Sequence, residues 1–387
     1  MSLQENTKNL INCCISVITG QHKPVDISDF NSFFSFCLVH KLENIACLYL
    51  SESAASDNTV MLLFKDKYKQ AIHNDAAQQY YLSRIQEAFA ENGINYLLLK
   101  GCVMKGLYPS SDLRQSADMD IYIGKENTLK AKPIMESLGF KNITFSDGES
   151  TDNYKADKFS YVELHKKLIS DDYPWKNECN KILDRLIPAG NHEYVMNNED
   201  FYIFMICHIA KHMKWGGIGI RAILDVWVYI RHYSNMDWDS IRSVLEKCSL
   251  TKFHENLLKL IDYWFEEKEA DKGIKKLGLY IASSGWNGFD SQMKSSSIDK
   301  LAGPTSSKSY LKLKWYLNAA FMNRAVMSER YPILKKTPVL LPFCWIHRAA
   351  YAVLNKRDTI NSVLHYYDSI DIRESKEINE FRREIGL

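Results

Sequence analysis

Apolar positions recur at helical spacing over residues 27–50, with Ser28 placed as a cap. They do so again over 60–93, where Asn92-Gly93 stops the run. The period then changes. INYLLLKG (94–101) is a short apolar run closed by glycine and reads as a buried strand. Residues 102–109 make one or two helical turns stopped by Pro109, and DMDIYIG (118–124) alternates as a strand does. Residues 125–140 read as a helix despite Pro133, and 141–146 and 158–165 supply two more strands. From 200 to 267 the spacing is helical again. Residues 283–307 are rich in Ser and Gly and poor in large apolar side chains, which predicts a loop or linker. A last helical block follows. The expected class is α+β: a small mixed-sheet core at 93–195, preceded by a helical region at 1–92. A helical domain at 196–282, the linker at 283–307 and a C-terminal helical region at 308–387 complete it.

Composition narrows the class of function. The chain has 387 residues, 46% hydrophobic and 25% charged, which is ordinary globular usage. Its net charge of +2 argues against a general nucleic-acid coat. The nine cysteines are odd in number and contain no CxxC pair, so the usual zinc and thioredoxin signatures are absent. Scattered unpaired thiols suit a reducing compartment, and the N-terminus has no basic start followed by a long apolar run. The most apolar stretch, at 337–346, carries two prolines and is too short to span a bilayer, so a cytoplasmic protein without a transmembrane segment is expected. The small net charge hides a local excess. Residues 308–357 hold ten Lys or Arg and one acid, Glu329, a net +9, interleaved with eight aromatic residues. Two readings fit: core-facing helices whose charged tips reach water, or a surface for an anionic partner such as RNA, a lipid surface or an acidic protein.

The chemistry-bearing residues concentrate in the α/β section. Alternation puts Asp118 and Asp120 on one strand face, with Met119, Ile121 and Ile123 on the other. Two neighbouring carboxylates on an apolar strand repel, and a hard divalent cation such as Mg²⁺ (or Mn²⁺) relieves the repulsion. Lys100-Gly101 closes the preceding strand. Gly101 would let the backbone approach a phosphate, and the following helical turn would offer free N–H groups. Arg114 lies four residues before Asp118. Glu163, a third acid, shares a strand face with Phe159, Tyr161 and His165.

Taken together, L-L-L-K-G, L-Y-P, R-x-x-x-D-x-D-I-Y-I, a helix ending L-G-F, and V-E-L-H resemble the nucleotidyltransferase superfamily over about 94–168. The set is most similar to a poorly characterised bacterial group with a K-G turn, an R…D-x-D strand and a (D/E)-L-H strand. The resemblance implies a short mixed sheet whose carboxylates hold divalent metal, position a nucleoside triphosphate and activate an acceptor hydroxyl. By position, Asp118 and Asp120 resemble the metal-binding pair, and Glu163 the third carboxylate and base. Gly101 resembles the glycine under the triphosphate, Lys100 and Arg114 the basic positions facing phosphate oxygens, and His165 the group's histidine. Cys102 stands where the wider superfamily has Gly or Ser, so Ser110 or Ser111 would have to supply the hydroxyl grip. The implied activity is NMP transfer from an NTP to a hydroxyl acceptor on a small molecule, protein or nucleic acid. The alternative is a catalytically inactive scaffold that holds an anionic partner through 308–357.

Two further patterns sit in the helical part. His208 and His212 share a helix face, but the H-E-x-x-H glutamate is missing and no third ligand is evident, which leaves a structural pair beside a zinc reading. Arg221 and Asp225 are spaced for an i,i+4 pair. The closer group shows a similar H…H…R…D pattern, implying residues that brace the helical domain or line a base or acceptor pocket.

Overall fold

The computed structural model describes residues 1–51, 59–144, 150–156, 160–285, 307–355, 365, 369 and 371–387. The chain forms two compact units, one of Met1–Met213, Gly217–Asn287 and Ile385–Leu387, the other of Lys214–Gly216 and Gly288–Glu384.

In the first unit, helix α1 (Leu3–Thr19) starts at a capping box. The Glu5 N–H donates to Ser2 Oγ at 3.2 Å and the Ser2 N–H to Glu5 Oε2 at 2.7 Å. Helices α2 (Phe30–His40), α3 (Glu43–Ser51) and α4 (Thr59–Glu91) follow. The cap of α2 is Asp29 and not the expected Ser28, because the Asp29 carboxylate accepts the Ser32 N–H at 3.0 Å, three residues on.

The sheet has seven strands: β1 (Tyr96–Leu98), β2 (Met119–Tyr122), β3 (Lys141–Thr144), β4 (Thr151–Lys155), β5 (Tyr161–His165), β6 (Ile187–Gly190) and β7 (Glu193–Val195). Their order is β3-β4-β5-β2-β1-β7-β6. The β2–β5 and β1–β7 pairs are parallel and the others antiparallel, so the mixed sheet flanked by helices is as expected. Short helices α5 (Gly101–Met104) and α7 (Lys176–Asn180) and the longer α6 (Thr128–Ser137) lie between strands. Met119, Ile121, Val162 and Leu164 point to one sheet face, where they bury against Ile85 and Phe89 of α4 and Ala131 and Met135 of α6. The opposite face of β2 and β5 carries Asp120 and Glu163.

Strand β4 and the β6–β7 hairpin escape the hydrophobic pattern for different reasons. In β4 the inward side chains are Asp152 and Tyr154, and the buried Asp152 is tied to Lys166 Nζ at 2.7 Å. The hairpin is an exposed edge whose strand carries Pro188, and its turn runs through Gly190, Asn191 and His192 at positive φ. Parts of the strands expected at 141–146 and 158–165 lie outside the described residues.

Helices α8 (Asn198–Trp215), α9 (Ile220–His232), α10 (Trp238–Lys247), α11 (Thr251–Phe265) and α12 (Lys272–Ser284) follow the sheet. The helical run at 239–267 is two helices, because Ser249 at φ 57° ends α10 and the Leu250 N–H bonds back to Leu245 O at 2.8 Å. Trp227 stacks on Phe265 with ring centroids 4.7 Å apart. Two fully buried histidines brace this part. His40 Nδ1 accepts the Ile220 N–H at 3.2 Å while its Nε2 meets the Ala282 carbonyl at 3.0 Å, and His254 Nε2 meets Tyr202 Oη at 2.8 Å.

The second unit holds α13 (Lys308–Ala320), α14 (Arg324–Arg330), α15 (Ile333–Lys336), α16 (Leu341–Asn355) and α17 (Ile372–Glu384). Most of the expected linker, 286–306, lies outside the described residues, as do Lys356 and Arg357. The nine cysteines are free thiols, eight of them buried. Among the described residues, no helix is long and apolar enough to cross a membrane.

Burial pushes His40 and His254 down from the ordinary 6.5 to about 4. Because the folded pKa is the lower one, their contribution is intact above pH 6.5 and is lost as the pH falls toward 4. We expect the loss to reach on the order of 3 kcal/mol per ring by the lower limit. Urea unfolding followed by tryptophan fluorescence at pH 7 and pH 5 should show it, with a shallower fall in His254→Gln. Equal stability at both pH values would contradict the assignment.

Candidate active site

The centre of the sheet carries a buried acid. Parallel pairing of β2 with β5 sets Asp120 opposite Glu163, and Tyr122 opposite His165. Asp120 is 2% exposed. Its Oδ1 accepts from Lys100 Nζ at 2.6 Å and lies 2.7 Å from His165 Nε2, which is in turn 3.6 Å from Glu163 Oε2. Burial disfavours the Asp120 charge, but Lys100 and His165 outweigh it and hold the carboxyl well below its usual range. Lys100 is likewise opposed by burial, and Asp120, Asp118 and Glu163 keep it charged. His165 is pushed down by burial and then by Lys100.

Lys100 is delivered by a sharp turn. Its backbone sits at φ 45°, ψ −115°, a conformation that bulky residues adopt only under strain. The turn is tied to β2 by the Leu99 N–H, which donates to the Asp120 carbonyl at 3.0 Å. Main chain and side chain of Asp120 therefore grip the same turn.

Beside this centre opens a cavity of about 550 Å³, lined among others by Asp118, Glu163, Arg221, Lys41, Ser116 and Tyr161. Asp118 sits one residue before β2. Burial and then Asp120 raise its carboxyl. Glu163 is pushed up to about 7 by burial and then by Asp120, so near neutrality it exchanges a proton readily. Ligand atoms of Asp120, Glu163 and His165 all lie within 4.8 Å of one another, the spacing of a group that can hold a cation.

The other expected residues fall around this centre in distinct ways. Gly101 is required sterically: a Cβ there would lie 2.6 Å from Arg114 Nη1 and 2.7 Å from Ser116 Oγ. The N–H groups that the turn was expected to offer are partly used within it, Cys102 N–H to Leu99 O and Val103 N–H to Lys100 O. Cys102 packs toward the apolar core, and burial raises its thiol to about 12. Ser110 donates to Asp112 and Ser111 Oγ to Asp75 Oδ2, so both hydroxyls are engaged away from the cavity lining. Arg114 forms a buried two-point pair with Asp225, Nη2 to Oδ2 at 2.8 Å and Nε to Oδ1 at 3.3 Å, and Tyr108 Oη donates to Asp225 Oδ1 at 2.8 Å. Arg221 reaches the cavity wall and donates to the Gln115 carbonyl at 2.6 Å. Burial and then Arg114 lower it to about 10. His208 and His212 pack edge to face, ring centroids 4.3 Å apart, and burial followed by the Lys100 charge pushes His208 far down.

Lys41 and Ser116 were missed. Lys41 caps α2 in the left-handed conformation, far in sequence from any motif. Ser116 Oγ donates to the Asp118 carbonyl at 2.8 Å, and its place within the R-x-x-x-D spacing was the one available signal. A trio of buried thiols, Cys179, Cys207 and Cys248, also went unseen, because three separate segments supply it.

No curated protein and no solved structure matched the chain. A family model described as an uncharacterised nucleotidyltransferase matches residues 27–266. That span holds the whole sheet, the buried acid, the cavity and the Arg114–Asp225 brace, and it is well over half of the sequence. The chain belongs to this nucleotidyltransferase family.

Proposed function

We propose that the protein is a metal-dependent nucleotidyltransferase that moves an NMP from an NTP to a hydroxyl acceptor, breaking the α–β phosphoanhydride bond and releasing pyrophosphate, with Mg²⁺ or Mn²⁺ as the cation. The observation that carries the reading is the in-register placement of Asp120 and Glu163 on adjacent parallel strands, with Asp118 at the cavity beside them. The donor set fits a hard divalent ion, since carboxylate oxygens dominate it and repel one another without a cation. Asp120 and Glu163, with His165 beside them, would hold that ion, and Asp118 at the adjoining cavity lining would be the further carboxylate. When bound, the ion supplies charge neutralisation at the phosphates and polarises the acceptor oxygen.

The chain's own residues have separate tasks. Lys41 and Arg221 present positive charge to the cavity and suit the triphosphate. Glu163, at the cavity lining, takes the proton of the acceptor hydroxyl. Lys100 and His165 position the Asp120 carboxylate. Gly101 keeps the turn close against Arg114, and Arg114 with Asp225 braces α9 beneath it.

One observation favours the second reading, an inactive scaffold. Lys100 and His165 already neutralise Asp120 without any metal. Calorimetry with ATP, CTP, GTP and UTP separates the two: Mg²⁺-dependent binding of any NTP is expected of the enzyme, and its absence for all four would favour the scaffold.

With α-labelled NTP, Asp118→Ala is expected to lower NMP transfer by at least about a hundredfold while leaving the unfolding midpoint unchanged. Asp120→Ala should abolish transfer too, but also cost about 3–5 kcal/mol of stability, because it strands Lys100. Transfer retained in both variants would rule out this site.

Glu163→Gln should reduce turnover by about 10²–10⁴ with NTP affinity kept. Loss of binding in step with turnover would instead make Glu163 a binding or structural group.

A further inference from the structure

The second unit exposes apolar side chains in an ordered way. Val339, Phe343 and Ile346 follow one another at helical spacing, in the turn entering α16 and along α16 itself, and are 75%, 68% and 69% exposed. Helix α13 repeats the pattern with Tyr310, Leu313 and Leu317 at i, i+3 and i+7, all exposed. The two helices are neighbours: Phe321 meets Trp345 edge to face at 5.2 Å, and Trp345 Nε1 donates to the Met322 carbonyl at 2.8 Å. Among the described residues, these side chains stand outside the unit's buried cluster of Met327, Leu334 and Cys344. Cations border the apolar tips. Lys314 Nζ lies 6.0 Å from the Tyr310 ring, the Arg330 guanidinium lies 5.3 Å from the Tyr351 ring, and Lys335 and Lys336 are exposed just ahead of Val339.

We infer that α13 and α16 form a docking face for an anionic lipid surface. Exposed aliphatic and aromatic stripes flanked by Lys and Arg match what a bilayer interface offers, an apolar boundary beneath anionic headgroups. RNA fits the face less well, because Val339, Leu313, Leu317 and Ile346 have no ring to stack on a base. A second copy fits less well because a two-fold contact would bring two basic faces together. Charge complementarity disfavours a second copy, and the aliphatic stripe beside the cations favours a lipid surface over RNA.

The test uses the full chain and vesicles of phosphatidylcholine alone or of equal parts phosphatidylcholine and phosphatidylglycerol. Co-sedimentation is expected with the anionic vesicles only and should weaken as salt is raised. Phe343→Ser with Ile346→Ser should weaken it by more than about tenfold, with an unchanged thermal unfolding midpoint. Lys335→Glu with Lys336→Glu should do the same through charge. The proposal is overturned by absent binding to anionic vesicles, or by binding that both double variants retain. It is equally overturned if the face serves only RNA in a gel shift or only self-association in gel filtration. Loss of NTP binding would not bear on it, since the face belongs to a different unit from the carboxylates.

Discussion

The structure is organised around a charge that cannot reach water. Asp120 is buried on the central strand, and an unpaired carboxylate there would be prohibitive. Its two partners come from opposite directions. Lys100 arrives from β1 through a turn held at φ 45°, and His165 arrives from β5 through the parallel register with β2. Neither partner can be placed without the sheet order, and the strained turn persists because the Leu99–Asp120 backbone bond and the Lys100–Asp120 ion pair hold it from both ends. Strain of about 1–3 kcal/mol at a bulky residue is typical of sites where geometry serves function.

A second charge pair transmits this order outward. Arg114 and Asp225 lie far apart in sequence yet form a buried fork with Tyr108 on the same carboxylate. Gly101 has no room for a side chain because Arg114 and Ser116 press against it. The turn that carries Lys100 is thus wedged between the sheet and the brace to α9. The cavity cations Arg221 and Lys41 stand on the helical elements that this brace and His40 align. Site and scaffold share residues, and both fall within the family's span of residues 27–266.

What the sequence made legible was local. Period-two alternation correctly put Asp120 and Glu163 opposite the apolar face, and the K-G and V-E-L-H segments drew attention to Lys100 and His165. What it hid was decided by tertiary contact. Spacing pointed Asp225 to Arg221, four residues away on one helix, and gave no sign that Arg114, far away in sequence, takes the same carboxylate by two points. Lys41 carries no motif at all and reaches the cavity only because α2 ends in a left-handed turn. Strand β4 was invisible because its inward polar residue is Asp152, whose burial depends on Lys166 fourteen residues later.

The near-zero net charge is the sum of two different solutions. The carboxylate unit buries Asp120, Asp225 and Asp152 and pairs each with a cation, so this chemistry is inward and its field is local. The C-terminal unit does the reverse among its described residues, with a small buried cluster and Val339, Phe343 and Ile346 left in water beside Lys and Arg side chains. Folding alone gives no reason to keep Phe343 and Ile346 outside, since each exposed stripe forfeits the burial that ordinarily drives a helix inward. A soluble surface would carry polar residues at those positions. A cover that is apolar and anionic would make the arrangement favourable, and that requirement, more than the count of basic residues, supports the inferred lipid surface.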